Sequence, residues 1–158
     1  MKKIIKIILV LSCMISIFMF SNDTADESAD KSGSIIITIT EKIIGRDLTN
    51  KEKKIYLDKY DFWVRKSAHF SIYLVLGFLV LSLLKEYTTI NKKSIIISII
   101  ISLLYAISDE VHQAFVPGRS CELRDVLIDS TGSIFGVGIY YLLNRIRRSK
   151  NEQEKTTS

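Results

Sequence analysis

The chain has 158 residues, of which 47% are hydrophobic and 25% are charged, and its formal net charge is +5. A mean hydropathy of +0.22 with so many charges indicates long apolar segments separated by charged connections. These properties exclude a water-soluble domain, because too little polar surface would remain to cover the apolar runs. No aromatic residues are interleaved with a basic patch, so we predict no nucleic-acid partner.

Four apolar runs predict four transmembrane helices, at about residues 4–20, 67–84, 94–113 and 126–143. A bilayer core of about 30 Å requires about 20 helical residues. The apolar part of the third run, residues 94–107, would reach only about 21 Å. Its helix must therefore continue through the polar sequence SDEVHQ. We predict an all-α, polytopic membrane protein, with a single membrane domain at residues 1–150 and a polar tail at residues 151–158.

The connection after the first run has two parts. Residues 21–34 are polar and short-chained, which predicts an irregular segment. Residues 35–44, IIITITEKII, place isoleucines near one helical face, which predicts a short helix in the membrane interface. Their β-branched side chains leave a strand as the alternative. Thr49 or Asn50 then provides the cap of a helix that leads into the second span.

Lysine and arginine mark three of the flanks of these runs. They precede the first run, fill the second connection and follow the fourth run, at Lys2, Lys3, Lys6, Lys85, Lys92, Lys93, Arg145, Arg147, Arg148 and Lys150. With four spans, these three places lie on one side of the membrane, which the charge bias predicts to be the cytoplasm. Both termini are then cytoplasmic, and residues 21–66 and 117–124 face outside.

Polar side chains spaced three and four apart share a face on the last three predicted spans. Because charges face hydrocarbon only at high cost, these stripes should converge on a pocket open to the outer side. The candidate pocket residues are Lys66, His69, Tyr73, Asp109, Glu110, His112, Gln113, Arg119, Asp125 and Asp129. We expect Arg119 to contact at least one acid, since an unpaired buried charge is costly. Aspartate and histidine at this spacing could also hold a divalent metal, which remains an open alternative. No closed ligand signature is present, however, so neither a metal site nor a cofactor is predicted.

Simpler structural roles remain open for several of these positions. The spacing of Gly132 and Gly136 is typical of close helix packing. Asp125 suits the start of the fourth span, where an acid favours the helix dipole, and Lys66 can extend to the lipid headgroups. Buried ion pairs that only stabilise the bundle are the alternative for the remaining charges.

Two segments resemble the VanZ-like family of small bacterial membrane proteins: KSAHFSIYLVLGFL and SDEVHQAFVPGRSCELRDVLIDSTGSIFG. The matching residues are Lys66, His69, Phe70, Tyr73, Asp109, Glu110, Gln113, Phe115, Pro117, Arg119, Asp125, Gly132 and Gly136. Two positions depart from the family pattern: Ile72 stands where an acid frequently precedes the tyrosine, and Asp129 where asparagine is common. The resemblance implies an integral protein of the bacterial cell membrane, associated with tolerance of the glycopeptide teicoplanin.

Two classes of function fit these residues. In the first, the pocket binds an anionic envelope component, a cell-wall precursor or a glycopeptide, through Lys66, Arg119 and Arg124. Arginine suits this role because its guanidinium binds two oxygens of a phosphate or carboxylate.

The alternative is an intramembrane enzyme acting on a lipid-linked phosphate or cell-wall precursor. His69 or His112 would be the general base or nucleophile, and Asp109 or Glu110 would orient it. Arg119 would stabilise the developing charge. A transporter fits less well, because four spans without an internal repeat are few for alternating access.

The topology predicts where reporter domains will be found. Fusions after Lys92 and after Lys150 should both give a cytoplasmic signal, because each position lies among the basic residues that remain inside. Fluorescent-protein and alkaline-phosphatase fusions would measure this. An external signal at either position would reject the four-span orientation.

Overall fold

The computed structural model describes the backbone of residues 1–157 and the side chains of residues 1–153. Ser158, at the end of the predicted tail, lies outside the described residues. The helices are α1 (Lys2–Ser21), α2 (Ala25–Ile44), α3 (Asn50–Leu84), α4 (Lys92–Gln113) and α5 (Leu123–Thr157). No strand occurs within residues 1–157, so the all-α prediction is confirmed and the strand alternative for residues 35–44 is excluded.

Four of the described helices, α1, α3, α4 and α5, are long and apolar enough to cross a membrane. The third spanning helix runs through Gln113, as its short apolar part required. Two of these helices are longer than the predicted spans. α3 begins at Asn50, capped by Thr49, and α5 continues through the polar tail to Thr157.

The connection between α1 and α3 corrects one expectation. α2 has 20 residues and begins at Ala25, so most of the segment predicted to be irregular is helical. The cause is a capping box in which the Thr24 hydroxyl accepts a hydrogen bond from the Glu27 backbone N–H, while the Glu27 carboxylate accepts one from the Thr24 backbone N–H. Gly45, at φ +77°, ends the helix in the left-handed conformation that favours glycine.

The bundle is polar inside and apolar outside along α4. Ser94, Ser98 and Ser102 are buried on its inner face, whereas Ile100 and Leu104 are exposed on its outer face. The Ser98 hydroxyl donates to the Ser94 carbonyl at 2.9 Å, which satisfies it within the helix. Such a distribution suits a lipid surround, because the exposed apolar side chains need no water.

The backbones of α3 and α5 touch along a line of glycines. A Cβ atom at Gly132 would overlap the Phe70 carbonyl oxygen, and one at Gly136 would overlap the Leu74 carbonyl oxygen. Only glycine permits this approach, since any side chain would separate the two helices. The contact fixes the register of α5 against α3 at the end where the polar residues lie.

Replacing glycine by alanine on α5 should affect the stability of the bundle differently at two positions. Gly136→Ala should lower the free energy of unfolding by about 1–3 kcal/mol, because the methyl group must push the α3 backbone away. Gly138→Ala is the matched control, since its Cβ would meet nothing within 4 Å. Thermal unfolding in detergent, followed by loss of the monodisperse peak, would measure both. Equal melting temperatures would contradict the close α3–α5 contact.

Candidate functional site

Three side chains from three helices converge at one end of the bundle. His69 of α3, Asp109 of α4 and Asp129 of α5 each offer a ligand atom, and these atoms lie within 4.8 Å of one another. Nδ1 of His69 is 3.7 Å from Oδ1 of Asp129. Asp129 is completely buried and Asp109 is 4% exposed, while the His69 side chain is 23% exposed. We call these three residues the His-Asp-Asp cluster.

The cluster contains buried polar atoms without hydrogen-bond partners among the described residues. They include both carboxylate oxygens of Asp129 and Nδ1 of His69. The hydroxyl of Tyr73, which is completely buried, likewise lacks a partner and lies near the carboxylates of Asp109 and Asp129. Buried polar atoms are seldom left unsatisfied, so this group is unusual. Sequence spacing predicted no metal site, yet the structure brings metal-ligating residue types together here.

Arg119 is linked to the cluster through an amide. Its Nη1 donates to Oε1 of Gln113 at 2.8 Å, and Nε2 of Gln113 donates to Oδ2 of Asp109 at 3.2 Å. Arg119 also donates to the backbone carbonyls of Asp23 at 2.9 Å and Phe20 at 3.4 Å. The expected contact with an acid is therefore wrong: in the described part of the chain, Arg119 makes no ion pair.

Carbonyl groups at the end of α1 replace the expected carboxylate. They carry the negative end of the helix dipole, which favours a cation. Burial and the neighbouring Arg65 lower the pKa of Arg119. A guanidinium nonetheless stays protonated, so its charge remains available to an anion in the adjoining cavity.

An ion pair joins α3 to the start of α5. Lys66 bonds directly to Asp125, which lies in the first turn of α5. The Lys66 ammonium is also 5.7 Å from the ring centre of Phe62, and Arg124 lies over the same ring at 4.9 Å. Two cations thus lie beside one aromatic ring at the mouth of the polar end of the bundle.

Glu110 fastens the loop between α4 and α5. It is 1% exposed, and its Oε2 accepts the backbone N–H of Glu122 at 3.0 Å. Its Oε1 has no partner among the described residues. This carboxylate therefore holds the loop that carries Arg119 over the end of the bundle.

His112 is placed apart from the other candidates. Its ring stacks on Phe18 of α1 at 4.6 Å, and its Nε2 is 3.0 Å from Oδ1 of Asn22. The buried face of α4 instead continues through Asp109, Glu110 and Gln113. A helix turns by about 100° per residue, so His112, one residue before Gln113, lies off this buried face.

Two cavities meet at this end of the molecule. A polar one of about 210 Å³ is lined mainly by charged and polar side chains, including Lys66, Arg119 and Arg124. An apolar one of about 480 Å³ lies between α1, α2 and α3. The lining residues that they share are Ser28, Arg65, His69 and Arg119.

The sequence did not indicate that Arg65 and α2 would line the two cavities. Arg65 precedes His69 by four residues and so lies on the same face of α3. This spacing in the sequence could have indicated that Arg65 lines the site. It also pairs with Asp61 at 2.8 Å. Ser28 of α2 lines both cavities, but no spacing indicated it, because residues 21–34 were not expected to form a helix.

Comparison with known proteins identifies the family. A family model described as VanZ/LLP1 matches residues 6–144, which is most of the chain. No curated protein and no solved structure matched. A match over this range includes every residue of the His-Asp-Asp cluster and both cavities. The chain therefore belongs to the VanZ/LLP1 family, the VanZ-like membrane proteins.

Proposed function

We propose that this VanZ-family protein binds an anionic, lipid-linked component of the bacterial envelope in a pocket on the extracytoplasmic side of the membrane. The observation that carries the proposal is the junction of a polar and an apolar cavity at Arg65, His69 and Arg119. A ligand with a phosphate headgroup and a hydrocarbon chain would place one part in each cavity. A free anion would use only the polar one.

The charges of the polar cavity favour an anion. Four basic residues line it, Arg65, Lys66, Arg119 and Arg124, against two acids, Glu122 and Asp125. Three of the four bases pair with carboxylates, whereas among residues 1–153 Arg119 bonds to Gln113 and to backbone carbonyls alone. Arg119 is therefore the cation that a phosphate would engage, because it has no carboxylate to displace.

The position of the basic flanks supports an outward-facing pocket. Lys6 and Lys85 lie at the opposite end of the bundle, where they bond to Glu86 and Asn144 at 2.5 Å each. Flanks rich in lysine and arginine remain in the cytoplasm. The polar cavity, which lies at the C-terminal end of α4, then opens towards the cell wall, where a wall precursor or a glycopeptide would reach it.

A second candidate is an enzyme that hydrolyses a lipid-linked diphosphate, and the position of His69 favours it. The imidazole borders both cavities and lies 3.7 Å from the Asp129 carboxylate. A histidine with a carboxylate behind it can accept the proton of an attacking water. Water and a lipid diphosphate would yield a lipid monophosphate and inorganic phosphate. Release of phosphate by the purified protein, lost in His69→Gln, would support this candidate over binding alone.

The binding proposal predicts a preference for ligands that fill both cavities. Purified protein should bind a polyprenyl phosphate more tightly than either the corresponding polyprenol or inorganic phosphate. Arg119→Ala should weaken that binding about 10- to 100-fold, since a hydrogen bond to a charged group contributes about 1.5–3 kcal/mol. Native mass spectrometry or thermophoresis would measure the affinities.

Arg145→Ala is the control for this experiment, because Arg145 is exposed at the other end of α5. Its affinity should equal that of the wild type. Equal binding of the polyprenol would show that the anion is not recognised. Equal binding of inorganic phosphate would show that the apolar cavity takes no part.

The family association with teicoplanin predicts a cellular phenotype. Arg119→Lys and His69→Gln should abolish glycopeptide tolerance while the amount of protein in the membrane stays normal, because both side chains border the cavities. Growth in teicoplanin and immunoblots of membranes would measure the two quantities. A parallel fall in abundance would indicate that these residues only stabilise the bundle. Full tolerance in Arg119→Ala would reject a functional pocket.

A further inference from the structure

The His-Asp-Asp cluster has the composition of a metal-ligand set. It offers one imidazole nitrogen and two carboxylates, and these ligand types suit Zn²⁺ and Mn²⁺. Ligand bonds of about 2.0–2.2 Å would place two ligands of a tetrahedral ion about 3.4 Å apart. The 3.7 Å separation of Nδ1 of His69 and Oδ1 of Asp129 is already near this value. All three ligand atoms lie within 4.8 Å of one another, so side-chain movements, without a backbone shift, would let them share an ion.

The local charges favour a cation at this place. Asp109, Glu110 and Asp129 are each at most 4% exposed, and none of them has a lysine or arginine partner in the described residues. Burying several carboxylates together is unfavourable without positive charge nearby. The nearest bases are engaged elsewhere: Lys66 pairs with Asp125, and the charge of Arg119 reaches Asp109 only through an amide.

Buried polar atoms in the cluster and beside it also point to a ligand. Both oxygens of the completely buried Asp129 lack hydrogen-bond partners, and so does the completely buried Tyr73 hydroxyl, within the part of the chain that the structure describes. Gln113 already orients Asp109 by donating to its Oδ2 at 3.2 Å. Such a hydrogen bond from outside the ligand set is typical of carboxylates that bind metals.

We propose that His69, Asp109 and Asp129 bind a divalent transition-metal ion, Zn²⁺ or Mn²⁺, at the base of the pocket. Each ligand comes from a different helix, so the ion ties α3, α4 and α5 together. Three protein ligands leave at least one coordination position open. Of the three ligands, only His69 lines the two cavities, so an anion bound there would approach the ion from the imidazole side. Metal binding itself requires no such anion, and it can be measured without one.

The experiment uses full-length protein in detergent, purified with a tag that contains no histidine. After dialysis against a chelator, Zn²⁺, Mn²⁺ or Mg²⁺ is added back and the bound metal is measured by mass spectrometry. We expect a single equivalent of Zn²⁺ or Mn²⁺, and a higher melting temperature in its presence. His69→Gln and Asp129→Asn should bind at least tenfold more weakly and lose the thermal shift.

The chain contains two histidines, which supplies a matched control. His112→Gln should keep metal binding, because His112 lies against Phe18 and Asn22, away from the cluster. Asp58→Asn, on the exposed face of α3, controls for the loss of an acid. Equal loss of metal in these controls would overturn the proposal.

The wild-type protein provides a test that does not depend on the folding of a variant. Its X-ray absorption spectrum with Zn²⁺ should show nitrogen and oxygen ligands without sulfur, although the chain carries free thiols at Cys13 and Cys121. A sulfur ligand would overturn the proposal, as would wild-type protein that binds no more metal than Asp129→Asn. An unchanged melting temperature on addition of every ion, without bound metal, would likewise overturn it.

Discussion

The close contact between α3 and α5 is the constraint on which the remaining structure depends. Lipid supplies no hydrophobic force between helices, so packing of small residues has to hold them together. Gly132 lies against the carbonyl of Phe70, which is the neighbour of His69, and it follows Asp129 by three residues. The contact that stabilises the bundle therefore also sets the distance between the imidazole and the carboxylate. A bulkier residue at this position would disturb both.

The polar residues are not distributed as isolated ion pairs. Direct pairing occurs at the mouth, between Lys66 and Asp125, whereas deeper in the bundle Gln113 stands between Arg119 and Asp109. This arrangement leaves a guanidinium facing the polar cavity and carboxylates facing inward. A structure built only for stability would neutralise these charges against each other, since an unpaired buried charge is costly. Their separation is what makes both an anion site and a cation site physically reasonable.

His69 connects the two proposals. It borders the polar and apolar cavities and also belongs to the His-Asp-Asp cluster behind them. A phosphate held by Arg119 would lie in the same cavity that this imidazole borders. α2 lines the apolar cavity through Ser28 and Ile35, so the connection between the first two spans contributes to the proposed ligand site. The two cavities together are lined by residues of all five helices.

The sequence by itself determined the spanning helices, because each needs a long apolar run. It also determined the helical continuation through Gln113, because the apolar part of α4 is too short to cross a bilayer. Which side chains meet was decided only by tertiary structure. Spacing along one helix placed His112 with Asp109, but packing turned His112 towards Phe18 of α1. Nor did any spacing in the sequence indicate that backbone carbonyls would accept hydrogen bonds from Arg119. Every residue has a backbone carbonyl, so the sequence does not distinguish these acceptors. They come close to Arg119 only when the end of α1 packs against the loop after α4.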